Sequence, residues 1–159
     1  MTYAEFEPAR ELEPYVASFW SFAVDREAGP VEHWVPPDGC VSLAFRRGSP
    51  MAVVVGPWTV PLTPAVVAGD AFFGVRFWPG AAAALLPIAP MQLKDRVAAA
   101  AEIPGLGWSA VLAAGLWARP DGALDAGAAT RALVALLPGA RPLDSAAVTA
   151  ARRVMATGG

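Results

Sequence analysis

The run Ala71-Phe72-Phe73-Gly74-Val75-Arg76-Phe77-Trp78-Pro79-Gly80, with the Ala81-Ala82-Ala83-Ala84-Leu85-Leu86 segment behind it, restricts the fold of this chain more than any other stretch. Its first half is aromatic and β-branched, the composition of a buried strand. Pro79 then removes a ladder donor and presets φ for a first helical turn. The alanines and leucines that follow favour helix until Pro87 and Pro90 stop it. The chain therefore changes architecture at Gly80, with strands before and helices after.

Upstream, residues 15–24 place Val16, Ser18, Trp20 and Phe22 on one side of a first strand. Residues 25–30 are polar and end in Gly29-Pro30, which marks a loop. A second strand, 31–36, runs into Pro37-Asp38-Gly39, and Asp-Gly between apolar runs signals a hairpin whose return strand is 40–45. Segments 52–58 and 63–68, with the 71–77 run, bring the total to about six strands at the spacing of a small barrel or sandwich.

Downstream, helices are expected over 91–103, after an Ser109 N-cap, after Asp125, and from Asp144-Ser145 to Gly158-Gly159. Their apolar stripes are Val111, Leu112 and Leu116; then Ala129, Leu133 and Leu136 or Leu137; then Ala147, Ala151, Val154 and Met155. The expected fold is α+β: an N-terminal antiparallel β barrel or sandwich over 1–80, with a helical half from 81 packed on it.

A chain of 159 residues buries roughly 70% of its unfolded surface and folds without staples. The lone Cys40 forms no internal disulfide, and no basic-then-apolar leader precedes the acidic N-terminus, so a cytoplasmic location is expected. The uncharged run 77–91 holds three prolines and falls short of the ~20 residues of a membrane span, so no membrane partner is expected. Residues 1–80 carry five arginines against nine acids, and 81–159 seven basic residues against five acids. Neither half has the basic face that neutralises phosphates, so DNA contact by this stretch of chain is not expected.

Trp20, Trp34, Trp58 and Trp78, with Phe45 and Phe73 among the phenylalanines, form an aromatic set dense enough to wall an apolar ligand pocket. The alternative is that these rings fill the β core outright, although each indole N–H then needs a partner. Arg76 reads first as a solvated or capping arginine; its alternative is an anchor for an acidic group or a salt link to the helical half. Metal and nucleophilic catalysis find no support: His33 is the sole histidine, and Cys40 follows a turn with no basic partner in sequence. No enzyme activity and no cofactor are expected. Asp38-Gly39 reads first as a turn.

Several pieces occur in a telling order: Leu12-x-Pro14-Tyr15-Val16-x-x-Phe19-Trp20, Pro37-Asp38-Gly39-Cys40-Val41-x-Leu43-x-Phe45, Val55-Gly56-Pro57, Gly74-Val75-Arg76-Phe77-x-Pro79-Gly80-Ala81-Ala82 and Leu93-x-Asp95-Arg96-Val97. This ordered set resembles the N-terminal, non-DNA-binding domain of AraC-type bacterial transcription regulators. The Asp144-x-x-x-Val148-x-x-Ala151-x-x-x-Met155 pattern resembles the lead-in helix of the helix-turn-helix region in such regulators. Ser42 and Trp78 depart from the family pattern, where an acidic and a basic residue are common.

The resemblance implies an effector-sensing domain over 1–142 and a lead-in helix over 143–159, with DNA bound only through a helix-turn-helix region beyond Gly159. The resemblance names no ligand; the aromatic set is what points to a small, mostly apolar effector, held by Trp20, Trp34, Phe45, Trp58, Phe73, Arg76 and Trp78. A rival reading is a ligand-free homodimerisation module joined through Leu112, Leu116, Leu133 and Leu137.

Overall fold

In the computed structural model, which describes residues 1–29 and 31–157, one antiparallel sheet of six strands carries the fold. Its strands are β1 (Thr2–Phe6), β2 (Val16–Ala23), β3 (Val41–Arg46), β4 (Ala52–Val55), β5 (Ala71–Phe77) and β6 (Val97–Ala99). They lie in the order β1-β2-β5-β3-β4-β6, so β1 and β6 are edges and the sheet is open. The barrel alternative is thereby corrected, because the two edge strands do not pair. Pro30 and the Gly158-Gly159 pair, expected in a loop and at a helix end, lie outside the described residues.

β5, the strand of the switch run, sits between β2 and β3 and pairs with both. Its alternation sorts the two faces of the sheet. Phe73, Val75 and Phe77 face one way, together with Phe19, Leu43, Phe45 and Val54, and meet Leu86, Leu106, Leu116 and Leu133 from the helical half. That is the main core. Gly74 faces the other way, flanked in register by Trp20 on β2 and Ala44 on β3.

The expected strand count holds, but two of the expected strands are not sheet members. Segment 31–36 meets 63–68, and the residue just before it, through isolated bridges, Val31 to Val66 and Val35 to Leu62. Pro36, Pro37, Pro61 and Pro64 deny them a continuous ladder of donors. The Asp-Gly turn is present, with Gly39 at φ +66° and the Cys40 N–H donating to Asp38 Oδ1 at 2.9 Å. It joins a covering segment to β3 rather than two paired strands. The 52–58 strand ends at Val55, where Gly56-Pro57 follows.

Two unforeseen strands complete the sheet. β1 is a half-polar edge with little apolar signal, and β6 lies inside the stretch expected to be a helix over 91–103. That stretch is instead a 3-10 turn (Pro90–Leu93), then β6, then a second 3-10 turn (Ala100–Glu102). Pairing with β4 overrides the helix propensity of its alanines. Asp95 sits between turn and strand at φ +53°, a conformation that Asp tolerates, and accepts the Thr59 N–H at 2.6 Å.

The helical half comprises α1 (Ala82–Leu85), α2 (Trp108–Gly115), α3 (Ala126–Val134) and α4 (Ser145–Ala156). Asp125 and Asp144 cap α3 and α4 as expected. Ser109 does not cap α2 but lies buried inside it, and Val111 is exposed while Leu112 and Leu116 are buried. α2 also ends at Gly115, before Arg119-Pro120. Leu112, Leu116 and Leu133 are consumed by the core and Leu137 packs at its edge, so an association surface built from them is not on offer. α4 is seated by Val148 and not by Ala147, and leaves Val154 and Met155 exposed. No helix among the described residues is long and apolar enough to cross a membrane.

Candidate functional site

The face of the sheet opposite the core is not closed by helices. The two bridged segments, running from His33 to Pro36 and from Trp58 to Val66, lie over it and enclose a cavity of about 750 Å³. That is a size in which small molecules bind. Small side chains make the room: Ala44 and Ser42 line it from β3, where larger ones would fill the space.

The close approach at Gly74 is demanding. A Cβ there would stand 2.0 Å from Trp20 Cε2 and 2.4 Å from Trp20 Nε1, so the indole lies over the bare glycine backbone. Trp58 contributes from the covering segment, and half-exposed Trp34 stands at the rim. His33 stacks on Phe22 with ring centroids 4.3 Å apart, and burial pushes its pKa down, towards the neutral imidazole.

One end of the cavity holds a polar node. Arg76, from β5, reaches across β2 to β1, where its Nη1 donates to Glu5 Oε1 at 2.9 Å. Its Nε stands 3.2 Å from Asp38 Oδ2, near enough to pair charges but not aligned as a hydrogen bond. Burial works against the guanidinium charge, but Tyr3, Asp38 and Glu5 outweigh it and hold the Arg76 pKa up. The Tyr3 hydroxyl donates to Glu5 Oε1, and burial with that bond pushes its pKa up to about 12. At the other end Arg46 grips buried Asp70 at 2.6 Å, and Asp70 Oδ2 accepts the Val67 N–H at 3.0 Å.

Three buried donors on the cavity wall have no acceptor among the described residues: Trp20 Nε1, Trp58 Nε1 and Arg76 Nε. Leaving a buried N–H unsatisfied costs about 1–3 kcal/mol, so such groups mark where a protein holds something for another purpose. Ser18 Oγ is also without a partner but does not line the cavity.

Of the residues singled out from the sequence, Trp20, Trp34, Trp58 and Arg76 come together on this wall. Phe45 touches it, but its ring is fully buried and packs with Phe73, centroids 6.4 Å apart. Phe73 is a core residue, because it alternates onto the helix-facing side of β5. Trp78 lies past the end of β5; its Nε1 donates to Glu13 O at 3.0 Å and the Arg152 guanidinium of α4 stacks 4.9 Å above its ring. Sequence reasoning missed Tyr3 and Glu5 with the strand that carries them, and it read Asp38 mainly as a turn.

Cys40 borders the cavity but is buried, and burial beside Asp38 pushes its thiol up to about 12. A pH dependence follows. The unfolded chain releases this proton near 9, whereas the native state keeps it to about 12, so stability is complete below 9 and falls as pH rises. The slope from this one group reaches about 1.4 kcal/mol per pH unit. Urea melts from pH 8 to 10 are expected to show that decline, and Cys40→Ala is expected to flatten it. An unchanged slope in the variant would assign the decline elsewhere.

Among the described residues no three His, Cys, Asp or Glu side chains gather as a metal would need. Residues 4–99 match a family model described as Domain of unknown function (DUF6597), a span that takes in β2 to β6, most of β1 and all of the cavity wall but Tyr3. No curated protein and no solved structure matches the chain.

Proposed function

The chain belongs to the DUF6597 family, and we propose that it is the sensing domain of an AraC-type bacterial transcription regulator, working in the cytoplasm on a small, mainly apolar molecule. The supporting observation is the cavity on the sheet face away from the helices, walled by aromatic rings and by N–H donors that nothing else uses. A core filled by its own side chains would have left neither.

The reading has no chemical step; its mechanism is a bias between two arrangements. β5 presents Arg76 to the cavity, and two residues later Trp78 lies under Arg152 of α4. A guest that moves β5 therefore acts on the seat of α4, the helix that leads towards a DNA-reading region in the family it resembles. The bias exists only to the extent that the guest binds one arrangement more tightly than the other.

A panel of apolar compounds, followed by tryptophan fluorescence and melting temperature, tests the reading. A bound member at a hundred times its Kd is expected to stabilise the fold by about 2.7 kcal/mol. A panel covering aromatic, aliphatic and polycyclic chemotypes that moves neither signal would overturn it.

A further inference from the structure

We propose that the guest of this cavity is electrically neutral and carries hydrogen-bond acceptors, such as carbonyl or ether oxygens, that the indole N–H groups of Trp20 and Trp58 read. This deepens the sensing reading and rests on it. Two observations carry the inference independently of each other.

The first is the charge balance of the wall. Its charged groups are Glu5, Asp38, Arg46 and Arg76, and with Asp70, which holds Arg46 from outside the wall, the acids outnumber the arginines by one. Both arginines are already engaged, Arg76 by Glu5 and Asp38 and Arg46 by Asp70. An anionic guest would have to strip a carboxylate from one of them or enter without a counter-charge. A cationic guest would have to compete with Arg76 for Glu5 or Asp38. Either exchange trades one ion pair for another while the guest's own charge is taken out of water, which is the costly outcome.

The second is the direction of the unused hydrogen bonds. Indole Nε1 and guanidinium Nε can only donate. Trp20 Nε1 and Trp58 Nε1 are both buried and both without an acceptor. A pure hydrocarbon would leave them so, whereas a guest oxygen would satisfy them. Reaching the Trp20 nitrogen requires a small rotation of the indole off Gly74, where it now rests.

Four probes on one skeleton separate the possibilities in the unaltered chain: ethylnaphthalene, acetylnaphthalene, naphthoate and a naphthyl trimethylammonium salt, each titrated by calorimetry. The ketone is expected to bind about 5- to 10-fold tighter than the hydrocarbon, the range one neutral hydrogen bond gives. Both ions are expected to bind more weakly than the ketone. In Trp58→Phe the ratio of ketone to ethylnaphthalene affinity is expected to shrink towards unity.

Equal affinity for ketone and hydrocarbon, or tightest binding by either ion, overturns this inference and leaves the sensing reading standing. Failure of all four in a chain that the wider apolar panel does stabilise also overturns the inference alone. Failure of both sets removes the sensing reading with it.

Discussion

Replacing Phe73 by alanine is expected to cost about 3–5 kcal/mol of folding stability, whereas the same change one residue earlier, at Phe72, costs about 1 kcal/mol. The two rings are neighbours in sequence and sit on opposite faces of β5. Phe73 has no exposed surface and packs against Phe19 and Phe45, with centroid distances of 5.9 and 6.4 Å. Its truncation leaves a void that helices and sheet cannot both move to close. Phe72 faces the cavity, partly exposed, with its ring centroid 6.1 Å from that of Phe22. Since a domain of this kind has only about 5–15 kcal/mol in total, Phe73→Ala is expected to lower Tm by roughly 10 °C. Urea denaturation of the two variants side by side is the measurement. Similar losses at both sites, or the larger loss at Phe72, would mean that the two faces are assigned the wrong way round.

That contrast also marks what the amino-acid sequence could and could not convey. The switch at Pro79-Gly80, the strand before it, the Asp125 and Asp144 caps and the α+β order were legible because each is a local signal with a local cause. Which face of β5 meets the helices is not local. Phe72 and Phe73 are chemically alike, so the alternation alone leaves the side undecided, and the expectation that Phe73 lines the pocket picks the wrong face. β6 illustrates the opposite failure: Val97–Ala99 reads as helix by propensity, but its place against β4 decides its structure. β1 was silent because an edge strand with Tyr3 and Glu5 on one face carries no apolar alternation. That silence hid half of the node around Arg76. The tryptophans were visible as a set, and Trp78 was misplaced because it follows the last paired residue of its strand, where alternation no longer says which way a ring points.

The remaining large effect concerns the glycine beneath Trp20. Gly74→Val is expected to destabilise the fold by about 3 kcal/mol, the upper end of what overpacking costs, because the new side chain claims space that the indole occupies. Gly74 is paired with Trp20 on β2 and with Ala44 on β3, so neither the backbone nor the floor can give way without loosening the centre of the sheet. The ring is the part that moves, and it lines the cavity, which has room to take it. The variant should therefore lose guest affinity at least about 10-fold, which a merely destabilised but otherwise native cavity would not do once the chain is folded. Gly107→Ala, where an added Cβ meets nothing within 4 Å, serves as the control and is expected to stay near the parent in both readouts. The decisive comparison is the double variant. If the clash with the indole is the cause, Trp20→Ala in the Gly74→Val background removes the clashing ring, and the two changes together cost at least about 1 kcal/mol less than the sum of their separate costs. Strict additivity would place the damage in the valine's strain on the ladder, and Trp20 would then be a bystander rather than the ring that roofs Gly74.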